Sequence, residues 1–353
     1  MKIGIVGFCN LYAIPYMNMY TDPIKKSKHD FEVIYWNRKN IEEVVDYPVH
    51  IYNEEIDDAQ PKYLKFLQMY KFSSYVTKII KKNKYDFLII LTTIPSVLLR
   101  NTLKQYKKKY IVDIRDYSYE HIFLYRKMLK GVLENSTLNV VSSPDFIDYL
   151  PYKNAYVCHN ISFDDSIINR EKHEKVIIGF VGGVRYSDEC IKFIQKIQND
   201  DRFEFRFYGS GVGEIKIKSY CLMNNIENVL FFGAYLPEEK KGKYESIDIV
   251  YNAYGNDSKH VKLALSNKLY DAAWYGLPLI VNKHTAMAKY SKGISFEIDD
   301  DFLSDSLWDW YKNIDPKEFQ KKAHEIIQKS LNENTLLSNK LKELFPIESK
   351  YGK

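Results

Sequence analysis

Short apolar runs that alternate with stretches of helical spacing are the feature of this sequence that most constrains its fold. In the first half, the runs that we interpret as buried strands cover residues 2–8, 31–36, 87–91, 110–114, 138–141 and 155–158. Apolar residues at the i, i+3 and i+4 positions typical of helices occur between them at 62–82, 96–107 and 120–134. Because strands that alternate with covering helices form parallel sheets, the pattern predicts a doubly wound α/β domain.

A second series of the same kind follows a polar, charged segment at 160–175 that we interpret as a linker. Its predicted strands are 176–182, 203–208, 229–232, 247–251 and 278–281, followed by a helical region from about 301 to 345. Its predicted helices lie near 188–199, 213–225 and 262–275. A chain of 353 residues suits two domains. The sequence therefore predicts two Rossmann-like domains, 1–165 and 166–353, that face an interdomain cleft where ligands bind at the carboxyl ends of the strands.

The overall charge and the cysteines exclude several classes of protein. A formal net charge of +5 is too small for a chain that binds nucleic acid through a strongly basic surface. The four cysteines are scattered without a Cys-x-x-Cys pair, which argues against a disulfide framework or a zinc cage and fits a reducing compartment. The sequence has neither the pattern of a signal peptide nor an apolar run of about 18–20 residues, so we expect a cytoplasmic protein.

Two predicted strands of the second half run into glycines. The first ends in Gly182 and Gly183, which let a ligand approach the backbone, and Arg185 follows at the predicted mouth of the cleft. A fixed cation there suits the charge that develops on a leaving diphosphate, although a tight turn with a solvated arginine has the same sequence. The second strand reaches Gly209 in the segment Gly-Ser-Gly-Val-Gly, which lacks the ending of a P-loop and is by default a glycine-rich crossover.

The predicted helix that ends before Gly276 carries polar residues in its opening turn. Asn267 and Lys268 lie where free backbone amides and the helix dipole favour anions, and the lysine adds a full positive charge. Asp271 lies one turn further on, on the face of Asn267, where its carboxylate is able to accept both hydroxyl groups of a ribose. These residues predict a site for a nucleotide.

These segments resemble those of the GT-B glycosyltransferases, specifically the retaining, family-four-like (group 1) enzymes of bacterial capsule, O-antigen and exopolysaccharide synthesis. In the second half, the resemblance rests on the strand end at 182–185, the Phe-Phe-Gly stretch at 231–237 and the helix at 268–278. In the first half, it rests on the segments 111–116, 140–144 and 158–160. These motifs follow one another in the order that the family has.

The resemblance implies a metal-independent hexosyltransferase without a cofactor. Such an enzyme moves a sugar from a UDP- or GDP-sugar to a carbohydrate or lipid-linked oligosaccharide acceptor, with retention, in surface polysaccharide synthesis. The resemblance and the residue patterns above together predict that Gly182, Gly183, Arg185, Gly209, Lys262, Asn267, Lys268 and Asp271 bind the donor. The first domain is assigned to the acceptor, with Arg115 and Asp116 as candidate catalytic residues. The alternative for these two residues is a structural Arg–Asp pair at the edge of the sheet.

The sequence also departs from the family's pattern. Members carry two glutamates eight positions apart, where this chain has Leu263 and Asp271. The lysine that follows the family's arginine has no clean match, so we expect Lys262 or Lys268 to supply the second cation. These departures keep two alternatives open: a non-catalytic nucleotide-sugar-binding or assembly subunit, and a GT-B nucleotide-sugar epimerase.

Residues 61–84 hold seven lysines and no acidic residue, interleaved with apolar side chains. A basic amphipathic segment in the acceptor domain predicts peripheral contact with the inner face of a membrane. A helix that covers the sheet with a solvated lysine face is the alternative. The acidic run at 299–301 is expected to cap a helix and not to bind a metal.

Overall fold

The computed structural model describes residues 1–57, 60–161, 169 and 171–346, and these residues fall into two compact units. The first unit comprises Met1–Asn160 together with the chain from Leu331 on, and the second comprises Ile161–Ser330. The predicted linker at 160–175 lies largely outside the described residues. The sequence analysis placed the whole C-terminal segment in the second domain. In the structure, its last part belongs to the first unit, because Leu337, Leu341 and Phe345 are buried in the core of that unit.

Seven parallel strands form the sheet of the first unit, within the part of the chain that the structure describes. They are β1 (Lys2–Gly7), β2 (Asp30–Asn37), β3 (Val49–Asn53), β4 (Phe87–Leu91), β5 (Tyr110–Ile114), β6 (Leu138–Val141) and β7 (Tyr156–Val157). Their spatial order is β3-β2-β1-β4-β5-β6-β7. Every residue of β4 and β5 is buried, as expected for parallel strands that helices cover on both faces. Strand β3 was not predicted, because it is a partly exposed edge strand with polar residues.

The helices of the first unit lie between these strands. They are α1 (Asn18–Lys26), α2 (Lys62–Asn83), α3 (Thr93–Leu98), α4 (Arg100–Leu103), α5 (Phe123–Asn135) and α6 (Pro144–Tyr149), with short 3-10 turns at Leu11–Ala13, Pro15–Met17 and Lys104–Tyr106. The predicted single helix over 96–107 is therefore wrong. The backbone leaves the α-helical region at Leu99, where ψ is 4°, and this separates α3 from α4.

The second unit repeats the same parallel topology. Its strands are β8 (Val176–Val181), β9 (Phe203–Tyr208), β10 (Val229–Gly233), β11 (Ile249–Tyr251), β12 (Leu279–Asn282) and β13 (Ser295–Ile298). Their spatial order is β10-β9-β8-β11-β12-β13. The carboxyl ends of β8 and β11 consequently lie side by side at the centre of the sheet, where the strand order reverses. Strand β13 was not predicted from the sequence either, because it is a half-buried edge strand.

Eight helices complete the described part of the second half of the chain. They are α7 (Ser187–Ile197), α8 (Glu214–Met223), α9 (Lys240–Glu245), α10 (Lys259–Leu263), α11 (Asn267–Tyr275), α12 (Ala286–Tyr290), α13 (Ser304–Lys312) and α14 (Pro316–Leu344), with a 3-10 turn at Pro237–Glu239. Helix α14 begins in the second unit and ends in the first.

The predicted helix over 262–275 is interrupted, and this interruption shapes the site described below. Ala264 is extended, with ψ at 142°, and ends α10. Ser266 then caps α11, since its side chain accepts a hydrogen bond from the backbone amide of Lys268 at 3.3 Å. The break places 264–266 at the surface of a cavity.

The acidic run at 299–301 does not cap a helix. The N-cap of α13 is Leu303, whose side chain makes no capping hydrogen bond. Asp299 instead pairs with Lys283, and Asp300 pairs with Lys192. Among the described residues, no three or more His, Cys, Asp and Glu side chains group as metal ligands would. The described helices also include none with the length and apolar composition that a bilayer span requires.

Candidate functional site

Two glycine-rich loops pack backbone to backbone at the carboxyl ends of β8 and β9. The amide of Gly182 donates to the carbonyl of Tyr208 at 2.8 Å, and the amide of Val184 donates to the carbonyl of Ser210 at 3.1 Å. Gly209 has a φ of +128°, and a Cβ atom there would lie 2.0 Å from the carbonyl oxygen of Gly182. Only glycine fits at position 209, and the paired loops hold the end of β8 in one conformation.

Lys268 lies on the open side of Gly182. A Cβ atom added to Gly182 would be 3.6 Å from the Lys268 ammonium, which donates a hydrogen bond to the hydroxyl of Tyr254. The ammonium also lies 4.6 Å from the centroid of the Phe180 ring. The lysine is only 8% exposed, and no carboxylate of the described residues forms an ion pair with it. A buried cation without a counter-charge is costly unless an anion binds beside it.

A cavity of about 250 Å³ lies next to this cation, within the second unit. Its walls come from the ends of β8, β11 and β12 and from the segment that joins α10 to α11. Gly183 and Arg185 line it, together with the stacked rings of Tyr186 and Tyr254, whose centroids are 4.9 Å apart. None of the residues that line the cavity is acidic, so it suits a neutral or anionic ligand.

Asn252 lines the same cavity directly after β11. It is 2% exposed, and neither its amide oxygen nor its amide nitrogen has a hydrogen-bond partner among the described residues. By contrast, the neighbouring Asn282 accepts a hydrogen bond from the amide of Gly255 at 2.7 Å. Sequence reasoning missed Asn252; the available signal was a polar residue at the end of a fully buried strand.

The predicted donor residues are only partly brought together. Gly183 and Arg185 line the cavity, and Gly182, Gly209 and Lys268 lie beside it through the contacts described above. Lys262 and Asn267 are exposed and do not line it. Leu263, at the position of the family's first glutamate, is buried and lies outside the lining.

Asp271 is buried and already bonded. One carboxylate oxygen accepts a hydrogen bond from the ammonium of Lys240 at 2.7 Å, and the other accepts from the hydroxyl of Tyr244 at 2.9 Å. Burial, reinforced by the Asp271 carboxylate, raises the pKa of Tyr244 well above its ordinary value. A ribose hydroxyl at Asp271 would therefore share an oxygen with a protein donor.

Arg115, in the first unit, pairs with a different aspartate from the one that the sequence suggested. Its guanidinium contacts the carboxylate of Asp113 at 2.6 and 2.7 Å and donates to the carbonyl of Cys158 at 2.9 Å. Tyr20 donates to the same carboxylate at 2.6 Å. The alternative of a structural Arg115–Asp116 pair is therefore wrong. Arg115 pairs with the buried Asp113, whereas Asp116 is exposed.

No protein-family model and no curated protein matches this chain, but solved structures match it in fold. Sucrose-phosphate synthase from Thermosynechococcus elongatus has a TM-score of 0.74 at 11% identity, over 98% of this chain and 99% of that one. Anabaena Alr3699/HepE in complex with UDP has a TM-score of 0.67 at 12% identity, over 97% and 100%. The lipopolysaccharide outer core galactosyltransferase WaaB in its apo form has a TM-score of 0.64 at 13% identity, over 97% and 100%. Together with the two parallel sheets, these likenesses show that the chain has the GT-B fold.

Proposed function

We propose that this chain is a glycosyltransferase that moves a sugar from a UDP- or GDP-sugar to a carbohydrate or lipid-linked acceptor, with retention. The observation that carries the proposal is the buried ammonium of Lys268, which lies beside the open face of Gly182 without a carboxylate partner among the described residues. A nucleotide-sugar donor is further supported by HepE, a protein of similar fold whose complexes hold UDP and UDP-glucose.

In this proposal, the second unit binds the donor at the carboxyl ends of its strands. The bond between the sugar and the diphosphate breaks, so negative charge develops on the leaving diphosphate. Lys268 and Arg185 stabilise that charge, and the absence of side chains at Gly182 and Gly183 lets the diphosphate reach the backbone. The dipole of α11, whose first turn carries Lys268, adds to the positive potential. The proposal assigns no step to a metal ion.

The first unit is proposed to bind the acceptor. Asp116 is exposed where the chain leaves β5, and it is proposed to contact the acceptor or the transferred sugar. Arg115 contributes indirectly, since its pairing with Asp113 fixes the backbone from which Asp116 projects. A role in bacterial surface polysaccharide synthesis follows from the sequence resemblance and belongs to the same proposal.

Product analysis tests this function. The protein is incubated with UDP- and GDP-sugars, candidate carbohydrate acceptors and EDTA, and the products are examined by NMR. We expect a new glycosidic bond with the anomeric configuration of the donor, at a rate that EDTA does not change. An inverted product would contradict retention, and loss of turnover in EDTA would contradict metal independence.

Leu263 favours one alternative, a nucleotide-sugar-binding subunit without activity. It places a buried apolar side chain at the position where the related enzymes carry a glutamate. Calorimetry, which measures binding, and the product analysis, which measures turnover, together separate the two functions. Binding of a nucleotide sugar without transfer or hydrolysis would support the subunit, and turnover would exclude it.

We further propose that α2 contacts an anionic membrane surface. The first third of this helix exposes a group of large apolar side chains, with Tyr63, Phe66, Leu67 and Tyr70 each more than half exposed. Lysines at 78, 81 and 82 are exposed further along the helix. Apolar residues that insert at the headgroup level next to cations suit anionic lipid.

Sedimentation with vesicles tests the membrane contact. The wild-type protein is expected to bind vesicles that contain phosphatidylserine, in a salt-sensitive manner, and Phe66→Ser with Leu67→Ser is expected to abolish binding. Leu222→Ser with Met223→Ser removes two apolar residues from α8 that are more exposed than Phe66 and Leu67, and serves as the control. Equal binding of all three proteins, or none by the wild type, would contradict the contact.

A further inference from the structure

We propose that the side-chain amide of Asn252 binds hydroxyl groups of the sugar that is transferred, which makes Asn252 a specificity-determining residue. This inference rests on the proposed function, because it requires a nucleotide sugar in the second unit. It assigns the cavity beside Lys268 to the sugar and not to the nucleobase.

The first argument is that the side-chain amide of Asn252 has no hydrogen-bond partner among the described residues. Other buried asparagines, namely Asn10, Asn37, Asn139 and Asn282, each have a side-chain hydrogen bond to the protein. Asn252 is as deeply buried as they are, yet both of its amide atoms lack a partner among the described residues. Buried polar groups in folded proteins are almost always bonded, so this amide calls for a partner from outside the protein.

The second argument is the place of the cavity. Asn252 directly follows β11, the strand that pairs with β8, and the cavity that it lines is also lined by Gly183 and Arg185. Gly182, against which Lys268 lies, immediately precedes them. A diphosphate held by Lys268 and Arg185 would thus have the cavity next to it. In a nucleotide sugar, the group joined to the terminal phosphate is the sugar.

The third argument is chemical. A carboxamide presents one acceptor and one donor side by side, so one sugar hydroxyl can donate to its oxygen while the neighbouring hydroxyl accepts from its nitrogen. A nucleobase would need an aromatic face on which to stack, and one face of the Tyr254 ring is already taken by the stacked ring of Tyr186. The hydroxyl of Tyr254 accepts a hydrogen bond from the ammonium of Lys268. The free amide of Asn252 therefore favours a ligand with neighbouring hydroxyl groups at this place.

The experiment compares two proteins in their affinities for nucleotide sugars and for the parent diphosphates. Calorimetry gives the Kd of UDP, GDP, UDP-glucose, UDP-galactose, UDP-N-acetylglucosamine and GDP-mannose for the wild type and for Asn252→Leu, which has a similar shape and no amide. We expect Asn252→Leu to weaken the preferred nucleotide sugar about tenfold or more, as the loss of two hydrogen bonds implies. Its Kd for the parent diphosphate should change less than about twofold.

Thermal unfolding without ligand supplies the matched control. Asn252→Leu should keep or raise the Tm, because it removes an amide that the free protein leaves unbonded. Asn139→Leu should lower the Tm by several degrees. Asn139 is equally buried at 3% exposure, but its amide bonds to Leu133, Asn154 and Ser136.

Three results would overturn the inference while leaving the proposed function intact. They are an unchanged Kd for the nucleotide sugar in Asn252→Leu, an equal weakening of the diphosphate and the nucleotide sugar, and a fall in Tm as large as that of Asn139→Leu. A wild-type protein that binds none of these nucleotides would overturn both the inference and the proposed function.

Discussion

Gly209 and Gly182 are so close that a Cβ atom on Gly209 would lie 2.0 Å from the Gly182 carbonyl oxygen. This contact joins the loops after β8 and β9, and it holds in place the glycine that faces Lys268. The shape of the candidate donor site therefore depends on how closely the backbone packs at Gly209.

Gly209→Ala should destabilise the protein by at least about 3 kcal/mol, because a methyl group meets backbone and the φ of +128° disfavours any side chain. Urea unfolding measures the effect. Gly242→Ala, in α9 of the same unit, has no heavy atom within 4 Å of the added methyl group and is the control. There alanine should stabilise by about 0.5–1 kcal/mol. Equal stability of the two variants would mean that the loops do not pack as described.

Lys268→Met should preserve folding and lose diphosphate binding. Methionine replaces the buried alkyl chain but not the charge, so the Kd for UDP or GDP should rise about tenfold to a hundredfold. The Tm of the free protein should not fall, because the ammonium has no carboxylate partner among the described residues. Lys196→Met, on the exposed face of α7, is the control and should bind like the wild type. Unchanged binding by Lys268→Met would remove the observation on which the proposed function depends.

Asp271→Ala should lower stability by about 2–3 kcal/mol, because it leaves the buried Tyr244 hydroxyl without its acceptor. Tyr244→Phe removes the donor hydroxyl, while the Asp271 carboxylate keeps its hydrogen bond from Lys240, so this change should cost only about 1 kcal/mol. Urea unfolding of both variants tests whether Asp271→Ala lowers the stability more than Tyr244→Phe does. If Asp271→Ala weakens nucleotide binding while its stability stays at the wild-type level, Asp271 acts on the ligand and not on the fold.

Arg115→Met should lower the free energy of unfolding by about 3–5 kcal/mol, since it strands the buried carboxylate of Asp113 without its cation. A second substitution, Asp113→Asn, neutralises that carboxylate and should recover part of the loss in the double variant. Urea unfolding of the single and double variants gives the coupling free energy between Arg115 and Asp113. A folded Arg115→Met protein of normal stability that has lost only turnover would instead assign Arg115 to catalysis.

Glu32 should make the stability of the first unit depend on pH in the acidic range. Burial acts to raise its pKa, but hydrogen bonds from Lys2, Tyr85 and His50 outweigh it and lower the pKa from 4.5 to about 2. Because the folded-state pKa is lower than the unfolded one, the stabilisation is complete above about pH 4.5 and disappears as the pH falls to about 2.

Glu32→Gln should therefore be less stable than the wild type by on the order of 2–3 kcal/mol at pH 7 and equally stable near pH 2. Urea unfolding as a function of pH measures the difference. Glu134→Gln, in an exposed pair with Lys130, is the control and should show no such convergence. A constant difference between wild type and Glu32→Gln from pH 7 to pH 2 would contradict the depressed pKa.

The central strands of both sheets were predictable because parallel strands buried on both faces appear as continuous apolar runs. The edge strands β3 and β13 were not, since their half-exposed residues lack such a run. The break between α10 and α11 was missed because Ala264 and Leu265 continue the apolar pattern. A break there depends on how the segment packs, which local spacing does not report.

Local motifs predicted Gly182 and Lys268 as donor-site residues, and the structure places these two side by side, while their role in binding stays a prediction. The partner of Arg115 was also within reach, because residues i and i+2 of a strand share a face and Asp113 is two positions away. For Asn252 the sequence offered only a polar residue after a buried strand. That its amide lacks a partner was not predictable, because this depends on residues that the fold brings to it from other strands.

The burial of Leu337, Leu341 and Phe345 against the N-terminal sheet bears on the order in which the molecule is made. The ribosome releases the first unit's strands early, but the apolar surface that these three side chains cover stays exposed until residue 345 has emerged. The second unit, though later in sequence, is complete at Ser330. The core of the second unit is thus able to fold first during synthesis. A nascent chain that ends before these residues leaves an apolar surface of the first unit exposed, which chaperones recognise.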